Sequence, residues 1–298
     1  MNFPLDLTVR VGCRIAYETT LPTPILLVLR ARSDGTQYVR QQDLTFTPHV
    51  PYSSYEDAYG NLTDRAVLQP GETVIQHDAL IDVSSLPDNH EPAGPPTPVY
   101  QLPPETLRYT LPSRYCDSDK LLNFAWNEFA AYQNGLDRVI AICNWVHHNI
   151  EYRFGWGRSD ISAWEVVQQR FGVCRDFAHV AIAFCRAFNL PARYVTGHLP
   201  DIGWIDPGTP MDFHAYFEVY LGQRWCTFDA RFNAPRIGRV KVAQGLDAVD
   251  GAFSTIYGEV QFKGFDVWSY QVNPASVALG DPIDLSQRLD GKLAIRYS

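Results

Sequence analysis

The chain has 298 residues, 46% of them hydrophobic and 19% charged, an ordinary globular balance with room for about two domains and a sizeable core. Its formal net charge of −8 argues against the basic stripe of a nucleic-acid binder and mildly favours cationic over anionic partners. No apolar run reaches the roughly 18 residues of a membrane span, so no membrane partner is expected.

The opening stretch, MNFPLDLTVRVG, lacks the basic leader, apolar block and small-residue cleavage site of a signal peptide. The expected compartment is therefore cytoplasmic, and the sequon Asn61-Leu62-Thr63 reads as a chance match. Leu5, Leu7, Val9, Val11, Cys13, Ile15 and Tyr17 alternate with Asp6, Thr8, Arg10, Gly12 and Arg14, which predicts a half-buried strand. Pro22 and Pro24 break it, and residues 25–29 begin another. Further strands are expected over residues 38–47, 65–68 and 72–78, with Gly35, Gly60 and Gly71 in the turns. These make residues 1–105 an all-β antiparallel sandwich ending in a proline-rich linker. Pro92, Pro95, Pro96, Pro98, Pro103 and Pro104 do not all fit regular structure, which leaves space for one short strand at residues 99–102.

Residues 106–298 read as a helical region followed by strands, with a C-terminal extension. Asp117 or Ser118 is placed to cap a first helix whose inner side carries Leu121, Leu122, Ala125 and Phe129. A second helix is expected over residues 136–150, a third over 162–171, and a fourth from Cys174 to just before Pro191. Strands are expected near residues 192–198, 213–221 and 224–230. The six cysteines are too few for a disulfide framework. Cys13, Cys116, Cys143, Cys185 and Cys226 read as buried thiols; Cys143, for example, shares an apolar helical stripe with Val139, Val146 and Ile150.

Cys174 differs because it opens its helix. Phe177, Ala178, Ala181 and Cys185 continue its stripe, so a buried helix aims a cysteine from its first turn. The free amides and positive potential of a helix N-terminus stabilise a thiolate and a developing oxyanion. Five residues of helix turn about 140°, so His179 faces away from Cys174 and is read as a helix-surface or supporting residue pairing with Asp176. His214 and Asp229 fit the roles of base and orienting acid. A two-residue turn at Leu221-Gly222 sets them directly opposite, and one at Gly222-Gln223 sets them diagonally; both keep them on one sheet face. The residues alone also allow a structural cysteine and two polar groups on a solvated face. Cys174, His179, His198 and His214 match no metal-ligand spacing, His147 and His148 point about 100° apart, and no calcium loop is present, so neither metal nor cofactor is expected.

The segments GVCRDFAHVAIAFCRAFNLPARYVTGHL, DFHAYFEVYLGQRWCTFDARFNAPRIGRV and LDAVDGAFSTIYG resemble the core of bacterial transglutaminase-like proteins, over about residues 107–258. The resemblance implies an α+β fold, with helices packed on an antiparallel sheet in a papain-like core. By position it implies Cys174 as nucleophile, His214 as base and Asp229 as the acid that orients it. The expected activity is thiol-dependent hydrolysis of a peptide or amide bond in a peptide or protein substrate. Transfer to a primary amine and a non-catalytic binding protein are the alternatives, and oligomeric state stays open. The loop at residues 200–211 is a candidate cleft lip, with Trp204 and Ile205 as apolar wall and Asp201, Asp206 and Asp212 facing a cationic group. Gln168 and Trp164 are candidate second oxyanion donors, and Arg175 is expected in solvent.

Overall fold

The computed structural model describes residues 4–88, 96–204 and 210–290. Six strands come first: β1 (Leu7–Thr19), β2 (Thr23–Leu27), β3 (Tyr38–Thr47), β4 (Tyr52–Glu56), β5 (Leu62–Leu68) and β6 (Gly71–Val83). Every residue of β4 is exposed, which is why no alternation announces it. The strand expected at residues 99–102 is a 3-10 turn, Val99–Gln101; Pro98 and Pro103 on either side supply no N–H to a ladder. Pro92 and Pro95 lie outside the described residues.

The chain continues through α1 (Pro104–Leu107), α2 (Leu122–Phe129), α3 (Gly135–Asn149), β7 (Glu151–Tyr152), α4 (Ala163–Gln169), β8 (Phe171–Gly172) and α5 (Cys174–Ala187). It ends in β9 (Ala192–His198), β10 (His214–Leu221), β11 (Arg224–Phe228), β12 (Val240–Gly245), β13 (Ser254–Ile256) and β14 (Gln261–Gln271). The fold is α+β, as expected. No helix among the described residues is long and apolar enough to cross a membrane.

Two four-stranded antiparallel sheets, ordered β14-β1-β6-β3 and β13-β2-β5-β4, enclose Cys13, Ile15, Ile25, Leu27, Phe46, Leu68 and Ile75. Their edge strands β13 and β14 come from the far end of the chain. Val9 pairs with Gln271, Val11 with Ser269 and Ile25 with Ile256. A division at residues 105 and 106 assigns these strands to the C-terminal domain, whereas their hydrogen bonds belong to the sandwich. Alternation along a strand marks its two faces but does not name its neighbour.

A third antiparallel sheet, β11-β10-β9-β12, packs on α5. That helix is buried on all sides from Asp176 to Ala187, as suits a helix at the centre of a domain. Phe177, Ala181 and Phe184 meet Phe217 and Val219 of β10 in one core, with Val139, Ile142 and Val146 of α3. Asp117 does not cap α2, whose N-cap is Leu121 with no side-chain bond. Instead its Oδ1 accepts the Trp164 N–H and its Oδ2 accepts the Ser162 hydroxyl, so it secures the start of α4.

The open edge of β12 is closed by two side-chain amides from the sandwich. Gln37 donates to the Lys241 carbonyl at 2.8 Å and accepts the Lys241 N–H at 2.8 Å. Asn61 donates to the Gln244 carbonyl at 2.8 Å and accepts the Gln244 N–H at 2.9 Å. Each amide does what a neighbouring strand would do, so the edge offers no free ladder. Asn61, the sequon asparagine, is fully buried in this arrangement.

A fragment of residues 1–105 loses the partner of ten β1 residues, from Val9 to Glu18. It is expected to show no cooperative transition in urea followed by far-UV circular dichroism, while the whole chain does. A sharp transition of the fragment alone would show that β13 and β14 are dispensable to the sandwich.

Candidate active site

The first turn of α5 is fixed before its cysteine is reached. β7 and β8 pair in parallel, Tyr152 beside Gly172. Val173 is the N-cap in extended conformation, and the Asp176 carboxylate folds back to accept the Val173 N–H at 2.9 Å. This is the N3 half of a capping box, for Val173 has no acceptor to complete the other half. Gly172 must be glycine, since a Cβ there would stand 2.7 Å from the Asp176 Cβ and 2.8 Å from its Oδ2.

Cys174 follows, and its sulfur lies 3.9 Å from the Phe213 carbonyl oxygen. The Ala215 N–H also reaches the thiol, so the sulfur sits against the backbone on both sides of His214. Cys174 keeps partial exposure on the cleft wall, yet protein atoms crowd it closely enough that burial pushes its thiol up to about 12. The Ala215 amide pulls the other way, and Asp212, Asp176 and Asp229 add to the rise. Without a partner to take its proton the sulfur is a thiol. All six cysteines are unpaired.

The β10–β11 hairpin turns at Gly222-Gln223, with φ of 55° and 66°, and pairs Leu221 with Arg224. These positive angles belong to the two-residue turn that matches strand twist. The register continues through Phe217 opposite Phe228 and brings His214 and Asp229 together on the face away from α5. His214 Nε2 and Asp229 Oδ2 are 2.7 Å apart. That contact occupies Nε2 and leaves Nδ1 as the ring nitrogen available to the cleft.

Asp229 is held by more than the histidine. Its Oδ2 accepts Arg239 Nη2 at 3.0 Å, and its Oδ1 accepts the N–H groups of Arg231 at 3.0 Å and Phe232 at 3.1 Å. Burial alone raises its carboxyl; the His214 and Arg239 charges and the Phe232 amide more than offset it, and the group lies far below the ordinary 3.8. Arg239 in turn donates to Asp88 at 2.9 Å.

Cys174 and His214 line one cleft of about 530 Å³ with Tyr152, Asp212, Phe213 and Phe232. Tyr152 was not singled out from the sequence, because a two-residue strand carries no periodicity. Its phenol is pushed up by burial and by Cys174 across the cleft, so it remains an O–H donor on the same wall. Arg231 stacks over its ring at 3.7 Å. Arg239 was missed for a similar reason: its role is visible only once the chain after β11 folds back on Asp229.

Other expectations change. His179 does face away from Cys174, but it is buried, not on the surface, and does not pair with Asp176. Its Nε2 accepts the Ala248 N–H at 3.2 Å, its ring stacks on Tyr115, and burial followed by Arg175 and Arg186 holds it well below the ordinary imidazole value. Arg175 is not free in solvent; it pairs with Asp176 at 3.1 Å and donates to the Arg158 carbonyl. Gln168 and Trp164 are exposed on α4 and line no part of the cleft, so neither is an oxyanion donor here. Asp201 and Asp212 do line the cleft, Asp201 at 3.4 Å from Arg236. Trp204 packs behind Phe232 at 5.4 Å between ring centres, and Ile205 and Asp206 lie outside the described residues. Among the described residues, no three of His, Cys, Asp and Glu converge as a metal site requires.

The profile of the Transglutaminase-like superfamily matches residues 125–230, which carry Cys174, His214 and Asp229. A solved structure of a candidate cysteine protease from Cytophaga hutchinsonii is 32% identical, with a TM-score of 0.83, covering 90% of this chain and 91% of that one. An uncharacterised protein of Mycobacterium tuberculosis is 29% identical over 157 residues, 49% of this chain and 50% of that protein. One from Mycobacterium leprae is 29% identical over 89 residues, 29% of this chain and 32% of that protein. The chain thus spans about half the length, or less, of the curated relatives it matches.

The Asp229 geometry fixes a pH dependence. A carboxyl held below its unfolded value of 3.8 contributes stability that is complete above that pH and lost as pH falls toward its folded value. Asp229→Asn leaves Arg239 without that charge, and is expected to cost about 3 kcal/mol at pH 7. The gap between the urea midpoints of the two proteins should hold above about pH 4 and narrow progressively below it. An equal gap at pH 7 and pH 3 would contradict a stabilising Asp229 charge.

Proposed function

The chain belongs to the transglutaminase-like superfamily, and from that membership we propose that it hydrolyses a peptide or amide bond through a thioester on Cys174. The observation that carries the reading is that a cysteine on a helix N-terminus and a histidine line one cleft, with an ionised carboxylate bonded to that histidine from behind the wall. In this mechanism His214 takes the thiol proton through Nδ1 as sulfur attacks the carbonyl carbon. Asp229 holds the imidazole in the tautomer that leaves Nδ1 free to accept, and it stabilises the imidazolium that forms. The imidazolium returns the proton to the leaving amine. Water then attacks the thioester with His214 again as base, releasing the carboxylate and the thiol.

The oxyanion of each tetrahedral intermediate needs donors. The first-turn amide of Cys174 is one, by its place at the head of α5. Tyr152 is our second donor, a phenol O–H on the same cleft as Cys174.

Water is favoured as acceptor by the character of the cleft. Arg14, Asp212, Asp266, Arg288 and Asp290 line it with the aromatic groups, and such a wall keeps water close to a thioester. Amine transfer calls for a site that holds the amine and excludes water. Six unpaired cysteines fit a reducing compartment, so we propose a cytoplasmic location.

Cys174→Ala and His214→Ala are expected to lower kcat/KM by at least about a thousandfold each, and by similar amounts, because members of one unit are non-additive. His179→Ala, which acts through packing, should lose far less. Tyr152→Phe should cost about a hundredfold in kcat with little change in KM, as loss of one oxyanion donor does. Equal losses at His179 and His214 would overturn the assignment of the base. Millimolar monodansylcadaverine with a glutamine-containing peptide should leave hydrolysis undiverted; saturable amine incorporation outrunning hydrolysis would make the protein a transferase.

A further inference from the structure

A second cavity of about 460 Å³ lies where the sandwich meets the core. Tyr216 and Glu218 line it from β10, so it is on the same sheet face as His214 and Asp229. Six cationic side chains line it, Arg32, Arg193, Arg224, Arg236, Arg239 and Lys241, against three carboxylates, Asp34, Asp88 and Glu218. The carboxylates are already engaged: Glu218 by Arg193 and Lys241, Asp34 by Lys241 and Arg32, and Asp88 by Arg239. Asp201 and Asp229 reach Arg236 and Arg239 from outside the wall and still leave the cations in excess.

The excess is visible atom by atom. Arg224 Nη2, Arg236 Nε and Nη1, and Arg239 Nη1 are buried with no acceptor. Arg236 and Arg239 are more than nine-tenths buried. Arg32 Nε, 3.8 Å from Asp34, is a fifth donor on the same wall with no hydrogen bond. Interior donors nearly always find a partner, so five orphans on four arginines of one cavity mark a missing anion. Burial and the neighbouring Arg239 push the Arg236 guanidinium down to about 10, the direction expected of a cation short of a counter-charge. Gln244 Oε1, on the same wall, is a buried acceptor with no donor.

We propose that this cavity is a binding site for a phosphate monoester, held by Arg224, Arg236 and Arg239, with Gln244 accepting from a hydroxyl of the esterified group. A planar carboxylate satisfies one guanidinium fork. Three terminal oxygens and a charge near −2 match three guanidinium groups. The volume exceeds what a lone ion fills and lies within the range of small-molecule sites. The site is also joined to the active-site cleft: Arg239 binds Asp229 through Nη2 while its Nη1 is free. A bound phosphate therefore shares the cation that holds the carboxylate behind His214.

The test is calorimetric titration of the whole chain at constant ionic strength with glycerol 3-phosphate, inorganic phosphate and acetate. Both phosphates are expected to bind saturably, the ester more tightly, and acetate at least about tenfold more weakly. Arg224→Gln and Arg236→Gln should each weaken phosphate binding by about tenfold or more, the effect of one lost charge-assisted hydrogen bond. Cys174→Ala should bind like the parent, which separates this site from the cleft. Arg224→Lys, which keeps charge but loses the fork, serves if the glutamine variant does not fold, and should be intermediate. No saturable binding, equal affinity in the parent and both arginine variants, or acetate as tight as phosphate would each overturn the proposal.

Discussion

A buried carboxylate needs compensation, and the compensation of Asp229 ties distant parts of the chain together. Its side chain is about 1% exposed. Its oxygens accept from His214 at the start of β10, from two amides just after β11, and from Arg239 ahead of β12. Arg239 reaches on to Asp88, in the segment leaving the sandwich. One ionised group thus fixes a histidine, a tight turn and a domain junction. Removing its charge strands a buried guanidinium, which is costlier than the loss of a surface pair.

The same junction is braced from the sandwich side. Gln37 and Asn61 close the edge of β12, and β12 is the strand next to β9 in the core sheet. The chain then returns through β13 and β14 to complete both sheets of the sandwich. The cleft draws on both parts: Cys174 and His214 come from the core, while Val267, Trp268 and Tyr270 belong to β14.

What was legible in the sequence was local. Period-two alternation from Leu7 to Tyr17 marks β1, and the hairpin arithmetic around Gly222 keeps His214 and Asp229 on one face whichever turn forms. Helical phase correctly turns His179 away from Cys174, but phase says nothing of what covers a face; Tyr115, Tyr194 and Ala248 cover this one. What was not legible depended on partners far away. β14 pairs with a strand more than two hundred residues earlier, Tyr152 reaches the cleft from a two-residue strand, and Arg239 meets Asp229 only after the chain folds back. Asp117 was misassigned because a cap residue in sequence fits whichever helix start folding brings near it, and folding brought α4.

In the proposed mechanism Cys174 forms a covalent acyl intermediate with an amide substrate. The direct measurement is acid-quench mass spectrometry of the intact protein after brief mixing with a peptide library, followed by peptide mapping. A thioester on Cys174 that appears within one turnover and decays in water is the expected result. A turnover that proceeds with Cys174 unmodified, or with the acyl group on another residue, would contradict it.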